Sequence, residues 1–253
     1  MTITAACCLI GDEILSGKTR DLNSYCLANF LFDLGISLKR IDVVADDDEA
    51  IGESVRRLAK DHTLVFTSGG IGPTHDDITY AAVAKAFDLS LEIDNETKQR
   101  LTDVATKRQK ALTDAHLRMA LFPYPAVLVR EDPSLLIPVV VVVGQIYILP
   151  GIPQLFQRLL YSLKPYFARL IISQGQSLKG FVRREIITYQ PETQLAAYLT
   201  GLQAEYPKDQ LLIGSYPELN GKVVVSVVGK DKVEVDRVAD RVELEFKEIK
   251  SHL

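Results

Sequence analysis

The sequence predicts an α/β fold, a three-layer sandwich built around a mostly parallel sheet, with a smaller α+β domain at its C-terminal end. Three observations predict it. Between Ile3 and Phe87 an apolar run and a helical pattern follow one another three times at short intervals, the rhythm of a parallel sheet covered on both faces. The runs from Ile3 to Ile10 and from Thr63 to Phe66 are continuous, as buried strands of such sheets are. Beyond about residue 170 the order changes to strand, helix, strand, strand, helix, which reads as a second unit. The domains expected are therefore 1–170 and 171–253.

Taken in order, Ile3 to Ile10 forms the first strand and Gly11-Asp12-Glu13 the turn after it. A helix follows from Asn23 to Leu34, closed by Gly35. Ser37 to Val44 alternates as a second strand and ends in Asp46-Asp47-Asp48, ahead of a helix from Glu49 to Lys60. Thr63 to Phe66 is the third strand, and Ile78 to Phe87 has the apolar spacing of a helix. Leu89 to Leu121 mixes charges without glycine or proline, which predicts helical cover over the sheet, ended by Phe122-Pro-Tyr-Pro125. Ala126 to Arg130, Pro138 to Val143 and Gln145 to Leu149 read as strands, and Pro150-Gly-Ile-Pro153 opens a helix to about Phe167. In the second unit the strands are Phe181 to Tyr189, Gln210 to Tyr216 and Lys222 to Val228, with helices from Thr193 to Tyr206 and from Val233 to Ile249. The last helix carries apolar residues at 235, 238, 242, 246 and 249, one face of a 3.6-residue period.

Composition removes several function classes. With 47% apolar residues and a formal net charge of -4, the chain has ample core and no basic footprint, so neither a nucleic-acid partner nor an anionic membrane surface is expected. The run of five valines at 139–143 lies between Pro138 and Gly144 and is too short to span a bilayer. The start Met-Thr-Ile-Thr has no basic region ahead of its apolar one, which predicts a cytoplasmic protein without a signal peptide. Three cysteines, Cys7, Cys8 and Cys26, fit neither a disulfide framework nor a zinc spacing and read as structural thiols.

The chemistry concentrates in Thr67-Ser-Gly-Gly-Ile-Gly-Pro-Thr-His-Asp-Asp77, a strand-to-helix junction of the kind where open α/β sheets bind ligands. Gly69, Gly70 and Gly72 free the backbone to bring its N–H groups close to an anion. Asp12 with Glu13, Asp46 to Asp48, and Asp76 with Asp77 all fall just past the carboxyl ends of predicted parallel strands, and so on one sheet edge. Such a cluster repels anions unless a cation intervenes, and an all-oxygen donor set without a histidine cluster suits magnesium or manganese. Glycine-loop amides facing that cation would bind a diphosphate. Plainer roles stand beside these. Asp47 and Asp48 are equally readable as helix caps, as is Asp76 or Asp77, and Glu13 as a solvated turn residue. Asn23 is either a cap or a ligand group; His75, Lys18, Arg20 and Arg118 are either contacts to substrate oxygens or surface charges.

Those residues carry a resemblance. Gly11-Asp-Glu-Ile-Leu-Ser-Gly17, Thr19 with Asp21, Asn23 and Ser24, Val43-Val-Ala-Asp-Asp47, Ser68 to Asp77 and Leu149-Pro-Gly-Ile-Pro153 resemble the molybdopterin-binding-like superfamily. Within it, they are similar to the N-terminal domain of CinA-type proteins and to the corresponding domain of eukaryotic FAD synthase. Gly214-Ser-Tyr-Pro217 resembles the latter, so the similarity runs through nearly the whole chain. The resemblance implies a metal-dependent pyrophosphatase that splits FAD into FMN and AMP, or ADP-ribose into AMP and ribose 5-phosphate. It implies a divalent metal, cobalt with potassium being the family's preferred pair and magnesium or manganese the alternatives. By motif it gives Asp12, Asp46, Asp76 and Asp77 metal roles, with catalysis at Asp12, Asp76 and Asp77, and gives phosphate binding to Gly69, Gly70, Gly72 and Thr74; Asn23 and Lys18 are the further substrate contacts expected from the residues themselves. A homodimer is also implied. Two departures stand out. Neither an amidase domain nor an adenylyltransferase domain follows, which argues against synthesis of FAD, and Ala115-His-Leu-Arg-Met119 replaces the Asn-Arg-Lys-Gln segment of CinA proteins. The alternatives are a non-catalytic pocket for molybdopterin or a flavin nucleotide, and a molybdenum-cofactor biosynthesis enzyme.

Overall fold

The structure is a computed structural model that describes residues 3–175 and 177–251. The chain divides into two compact units, one of residues 1–32 and 36–178 and one of 33–35 and 179–253. The expected division at residue 170 would cut a helix of the first unit.

In the first unit the elements run β1 (Thr4–Ile10), α1 (Asp12–Leu15), α2 (Asn23–Asp33), β2 (Ser37–Val44), α3 (Asp48–Asp61), β3 (Leu64–Ser68) and α4 (Thr79–Ala86). They continue through β4 (Ser90–Ile93), α5 (Asn95–Lys107), α6 (Asp114–Arg118), β5 (Leu121–Tyr124), β6 (Ala126–Val129), β7 (Val139–Val142), β8 (Ile146–Leu149), α7 (Pro153–Ser162) and α8 (Lys164–Ser173). The main sheet has the order β2-β1-β3-β8-β7-β6. β2, β1, β3 and β8 run parallel, while β7 and β6 complete the sheet antiparallel. This is the three-layer, mostly parallel architecture the apolar runs predict.

The strand order explains where the helices go. The chain leaves β1 toward β2 and then crosses back past β1 to β3, and right-handed crossovers in opposite directions put their helices on opposite faces. On one face Ala6, Cys8, Ile10 and Val65 pack with Ile51, Val55 and Leu58 of α3 and with Tyr80 and Val83 of α4. On the other, Phe66 and Tyr147 stack at 5.2 Å between ring centroids, and Phe167 of α8 meets Phe66 at 5.8 Å and Phe30 of α2 at 5.9 Å. Cys7 and Cys8 are fully buried within β1, and burial pushes the Cys8 thiol up to about 11. They are structural thiols, as their setting in an apolar run predicts.

Three expectations are corrected. The stretch from Leu89 to Leu121 is not wholly helical: β4 pairs antiparallel with β5, Ser90 opposite Tyr124 and Ile93 opposite Leu121, and α5 and α6 fill the excursion between them. Ser90–Ile93 has only two apolar residues, and its partner lies beyond two helices, so no local pattern marks it. The residues after Gly11 form the helical turn α1 rather than an open turn. The helix expected to run from Pro153 to Phe167 is two helices. Leu163 ends α7, and Pro165 sits in the first turn of α8, where its missing N–H leaves nothing unpaired.

The second unit comprises β9 (Val182–Thr188), α9 (Glu192–Ala204), β10 (Leu211–Pro217), β11 (Val223–Gly229) and α10 (Lys232–Ser251), the strands forming an antiparallel sheet of order β10-β11-β9. Its core joins Val225 and Val227 of β11 to Leu195 and Leu202 of α9 and to Val235, Val238, Val242 and Phe246 of α10. The N-terminal Met-Thr pair lies outside the described residues. Among the described residues no helix is long and apolar enough to cross a membrane.

Candidate active site

β1, β2, β3 and β8 are parallel, so their carboxyl ends share one edge, and the loops after Ile10, Val44, Ser68 and Leu149 meet there. The strand order reverses between β1 and β3, the switch point where open sheets of this kind bind ligands. Backbone bonds lock the loops together: the Gly11 N–H donates to the Val44 carbonyl at 3.1 Å and the Gly69 N–H to the Leu149 carbonyl at 3.2 Å.

The glycine loop is wedged against β1. Gly69 has φ 117°, and a Cβ there would lie 2.1 Å from the Ile10 carbonyl oxygen; Gly70 has φ 64°. The base of the loop is fastened by Thr79, which is fully buried at the start of α4. Its hydroxyl donates to the Gly69 carbonyl at 2.8 Å and its N–H to the Gly70 carbonyl at 2.9 Å. Asn23 is also buried, and its side-chain amide donates to Ser68 Oγ at 2.9 Å and to the Gly151 carbonyl at 2.7 Å. It therefore ties the ends of β3 and β8. The cap of α2 is Asp21 instead, whose Oδ1 accepts from the N–H groups of Asn23 and Ser24. Sequence reasoning missed Thr79, because a threonine two residues past the glycine loop carries no pattern of its own.

The two adjacent acids take different positions. Asp77 is spent inside the loop: Oδ1 accepts from the Gly72 N–H at 2.6 Å, and Oδ2 from the Thr74 N–H at 2.8 Å and the Thr74 hydroxyl at 2.5 Å. The donors of Gly72 and Thr74, expected to face a phosphate, thus bind an internal carboxylate. Gly72 is needed for that contact, since a Cβ there would stand 2.7 Å from Asp77 Oδ2. The N–H groups of Gly70 and Ile71 have no partner among the described residues. Asp76 is exposed on the same loop, and none of the bonds that hold Asp77 engages its carboxyl.

Asp46 joins the group from β2. Its Oδ2 accepts from the Asp12 N–H at 3.0 Å, fixing the start of α1. Its carboxyl is pushed up by burial, and further by the charges of Asp12, Glu13 and Asp76, against the lowering effect of that hydrogen bond. Asp12, Glu13, Asp46 and Asp76 therefore share one field, as the sheet-edge argument requires. Asp47 and Asp48 take the plainer roles: Asp47 caps α3, accepting from the Glu49 and Ala50 N–H groups, and Asp48 pairs with Lys85 at 2.6 Å. Lys18 and Arg20 are exposed on the loop after α1, and Arg118 reaches the Asp77 carbonyl at 3.5 Å.

Among the described residues no three His, Cys, Asp or Glu side chains are gathered closely enough to hold a metal ion in this arrangement. The donor set nevertheless suits a hard cation by chemistry and by charge, being all carboxylate and raising the proton affinity of its most buried member, Asp46.

A family model described as a probable molybdopterin binding domain matches residues 6–169, all but the first two residues of the sheet. The chain belongs to the molybdopterin-binding domain family. A second model, the middle domain of FAD synthase, matches residues 180–251. Relatives of this family member include a probable FAD synthase of Caenorhabditis elegans, 34% identical over 87% of this chain and 44% of that protein, and one of Caenorhabditis briggsae, 30% identical over 93% and 48%. The chain thus spans about half the length of these curated relatives. A protein of Sulfolobus acidocaldarius matches at 29% identity over 96% of this chain and 93% of its own length. Among solved structures, a CinA protein of unknown function from Thermoplasma acidophilum is 34% identical, with a TM-score of 0.57, over 65% of this chain and 98% of its own.

Proposed function

We propose that the chain is a divalent-metal-dependent hydrolase of a nucleotide diphosphate, with FAD as its first substrate and ADP-ribose as its second. The observation that carries this reading is the shared field of Asp12, Glu13, Asp46 and Asp76 at the sheet edge from which the glycine loop, with its unpartnered Gly70 and Ile71 N–H groups, also leaves. An anion pocket gains nothing from four carboxylates unless a cation bridges them to the anion. Similarity to probable FAD synthases and to the FAD synthase middle domain supports a flavin dinucleotide as the ligand.

In this reading Asp12, Asp46 and Asp76 would draw together to hold the cation, while Asp77 fixes the loop through Gly72 and Thr74. A bound divalent cation supplies Lewis acidity at phosphorus and a water of lowered pKa. The Gly70 and Ile71 N–H groups face the phosphoryl oxygens and stabilise the charge that develops there. Water oxygen bonds to one phosphorus and the bridging anhydride P–O bond breaks, so FAD and water give FMN and AMP, and ADP-ribose and water give AMP and ribose 5-phosphate.

Purified protein incubated with FAD or ADP-ribose and cobalt, magnesium or manganese, with and without potassium, should release AMP together with FMN or ribose 5-phosphate. Absence of AMP from both substrates under every metal would remove the hydrolase reading. A second reading, a non-catalytic pocket for molybdopterin or a flavin nucleotide, is favoured by one feature: Asp77 already occupies the donors of Gly72 and Thr74. Tight binding of FAD without any product, across the same metals, is its signature.

A further inference from the structure

Beside the glycine loop lies a cavity of about 350 Å³ whose walls are mainly apolar. Ile78 and Tyr80 line it from the start of α4, Leu91 and Ile93 from β4, and Leu117 and Arg118 from α6. Gly72 and Asp77 form part of the same wall, so the cavity begins where the loop of the proposed phosphate site ends. The small β4–β5 sheet, with Ile93 opposite Leu121, builds the side away from the loop. Ile93 is 40% exposed, an apolar side chain left at the rim without cover.

Its volume is at the small end of ligand sites, about 300–1,000 Å³. That admits one planar ring system and excludes a whole dinucleotide. An apolar slot contiguous with a polar edge matches a molecule that is itself divided into a charged diphosphate and a flat, weakly polar ring. The guanidinium of Arg118 adds the one cation of the wall. It reaches the Asp77 carbonyl at 3.5 Å, between the loop and the apolar surface, where a phosphate or a ring carbonyl passes from one region to the other.

We infer that this cavity seats the heteroaromatic ring of the nucleotide whose phosphate meets the glycine loop, with Arg118 as the contact at the junction. The inference rests on the proposed function for the identity of the polar half, yet ring binding is measurable without turnover. It also gives β4 and β5 a purpose: they frame a specificity pocket whose wall includes Asp77 and Asp114 but none of Asp12, Asp46 and Asp76.

The test uses two substitutions at exposed wall positions, Ala81→Phe to fill the cavity and Ile93→Glu to charge its rim. FMN and AMP are titrated separately against the intact chain and each variant, FMN by flavin fluorescence and AMP by calorimetry, with circular dichroism to check that each variant is folded. Either substitution is expected to weaken one of the two ligands about tenfold or more, and the ligand affected names the ring, flavin or adenine. Where the parent turns over a dinucleotide, KM should rise in the same proportion while kcat changes little. Arg118→Gln should weaken the same ligand, and inorganic phosphate binding should be unaffected by Ala81→Phe. Unchanged affinity for both FMN and AMP in folded Ala81→Phe and Ile93→Glu overturns the inference. Absence of turnover in the parent, with ring binding intact and lost in the variants, overturns the proposed hydrolysis alone.

Discussion

Asp76 and Asp77 are identical in type and adjacent in sequence, and the hydrogen bonds around them separate their roles. Both oxygens of Asp77 are engaged by Gly72 and Thr74, whereas Asp76 is exposed and shares its field with Asp46. Asp76→Asn should lower AMP release from FAD by about 100-fold or more while leaving the melting temperature unchanged. Asp77→Ala strands the loop donors and should cost about 1–3 kcal/mol of stability as well as activity, read by thermal unfolding. A melting temperature for Asp77→Ala equal to that of the parent would mean that the loop does not depend on this brace. Neither role is visible from the sequence, because capping, bracing and metal holding all call for an aspartate near a helix start. The burial of Asn23 and Thr79 is hidden for a related reason: a polar residue reveals its structural use only through partners on other strands.

At the scale of elements, what was legible followed burial. β1, β3, β7 and β8 are buried on both faces, so their side chains leave unbroken apolar runs in the sequence. β4 left none, since its half-exposed residues are specified by pairing with β5 rather than by their own character. The turn between β7 and β8 contains a local conflict. Val143 has φ 47°, a conformation disfavoured for a β-branched residue, and it is 50% exposed. Val143→Asn should therefore stabilise the protein by about 1 kcal/mol, a rise of about 2–4 °C in melting temperature. A fall would show that Val143 makes a contact worth more than the strain.

The join of β2 to α3 responds to pH. Asp42 accepts hydrogen bonds from Arg40 at 2.8 Å, Arg57 at 2.7 Å and Ser54 at 2.9 Å. Burial alone raises its carboxyl, but these bonds outweigh the effect and hold it below the usual range. A depressed carboxyl stabilises the fold fully above the unfolded value, about 3.9, and the contribution is lost as pH falls through the lower folded value. Arg57→Gln should thus lower the melting temperature at pH 7, and the gap to the parent should narrow as the pH is taken below about 4. A gap that stays constant down to pH 3 would place the effect of Arg57 in packing rather than charge.

Over the whole molecule, every acid of the proposed site belongs to the first unit, gathered by three parallel strand ends from residues far apart in sequence. Sheet topology brings these acids to one edge, and that shared edge was legible because the repeating strand–helix rhythm implies parallel strands. The division of labour within the site became readable only with the hydrogen bonds in place. The account's central claim is that Asp12, Asp46 and Asp76 hold a divalent cation that activates hydrolysis of a nucleotide diphosphate. The measurement that meets it most directly is AMP release from FAD as cobalt or magnesium is titrated into metal-free protein, for the parent and for Asp76→Asn. The account predicts saturable activation in the parent and none in the variant. Equal release without added metal in the presence of a chelator, or equal activation of both proteins, would contradict it.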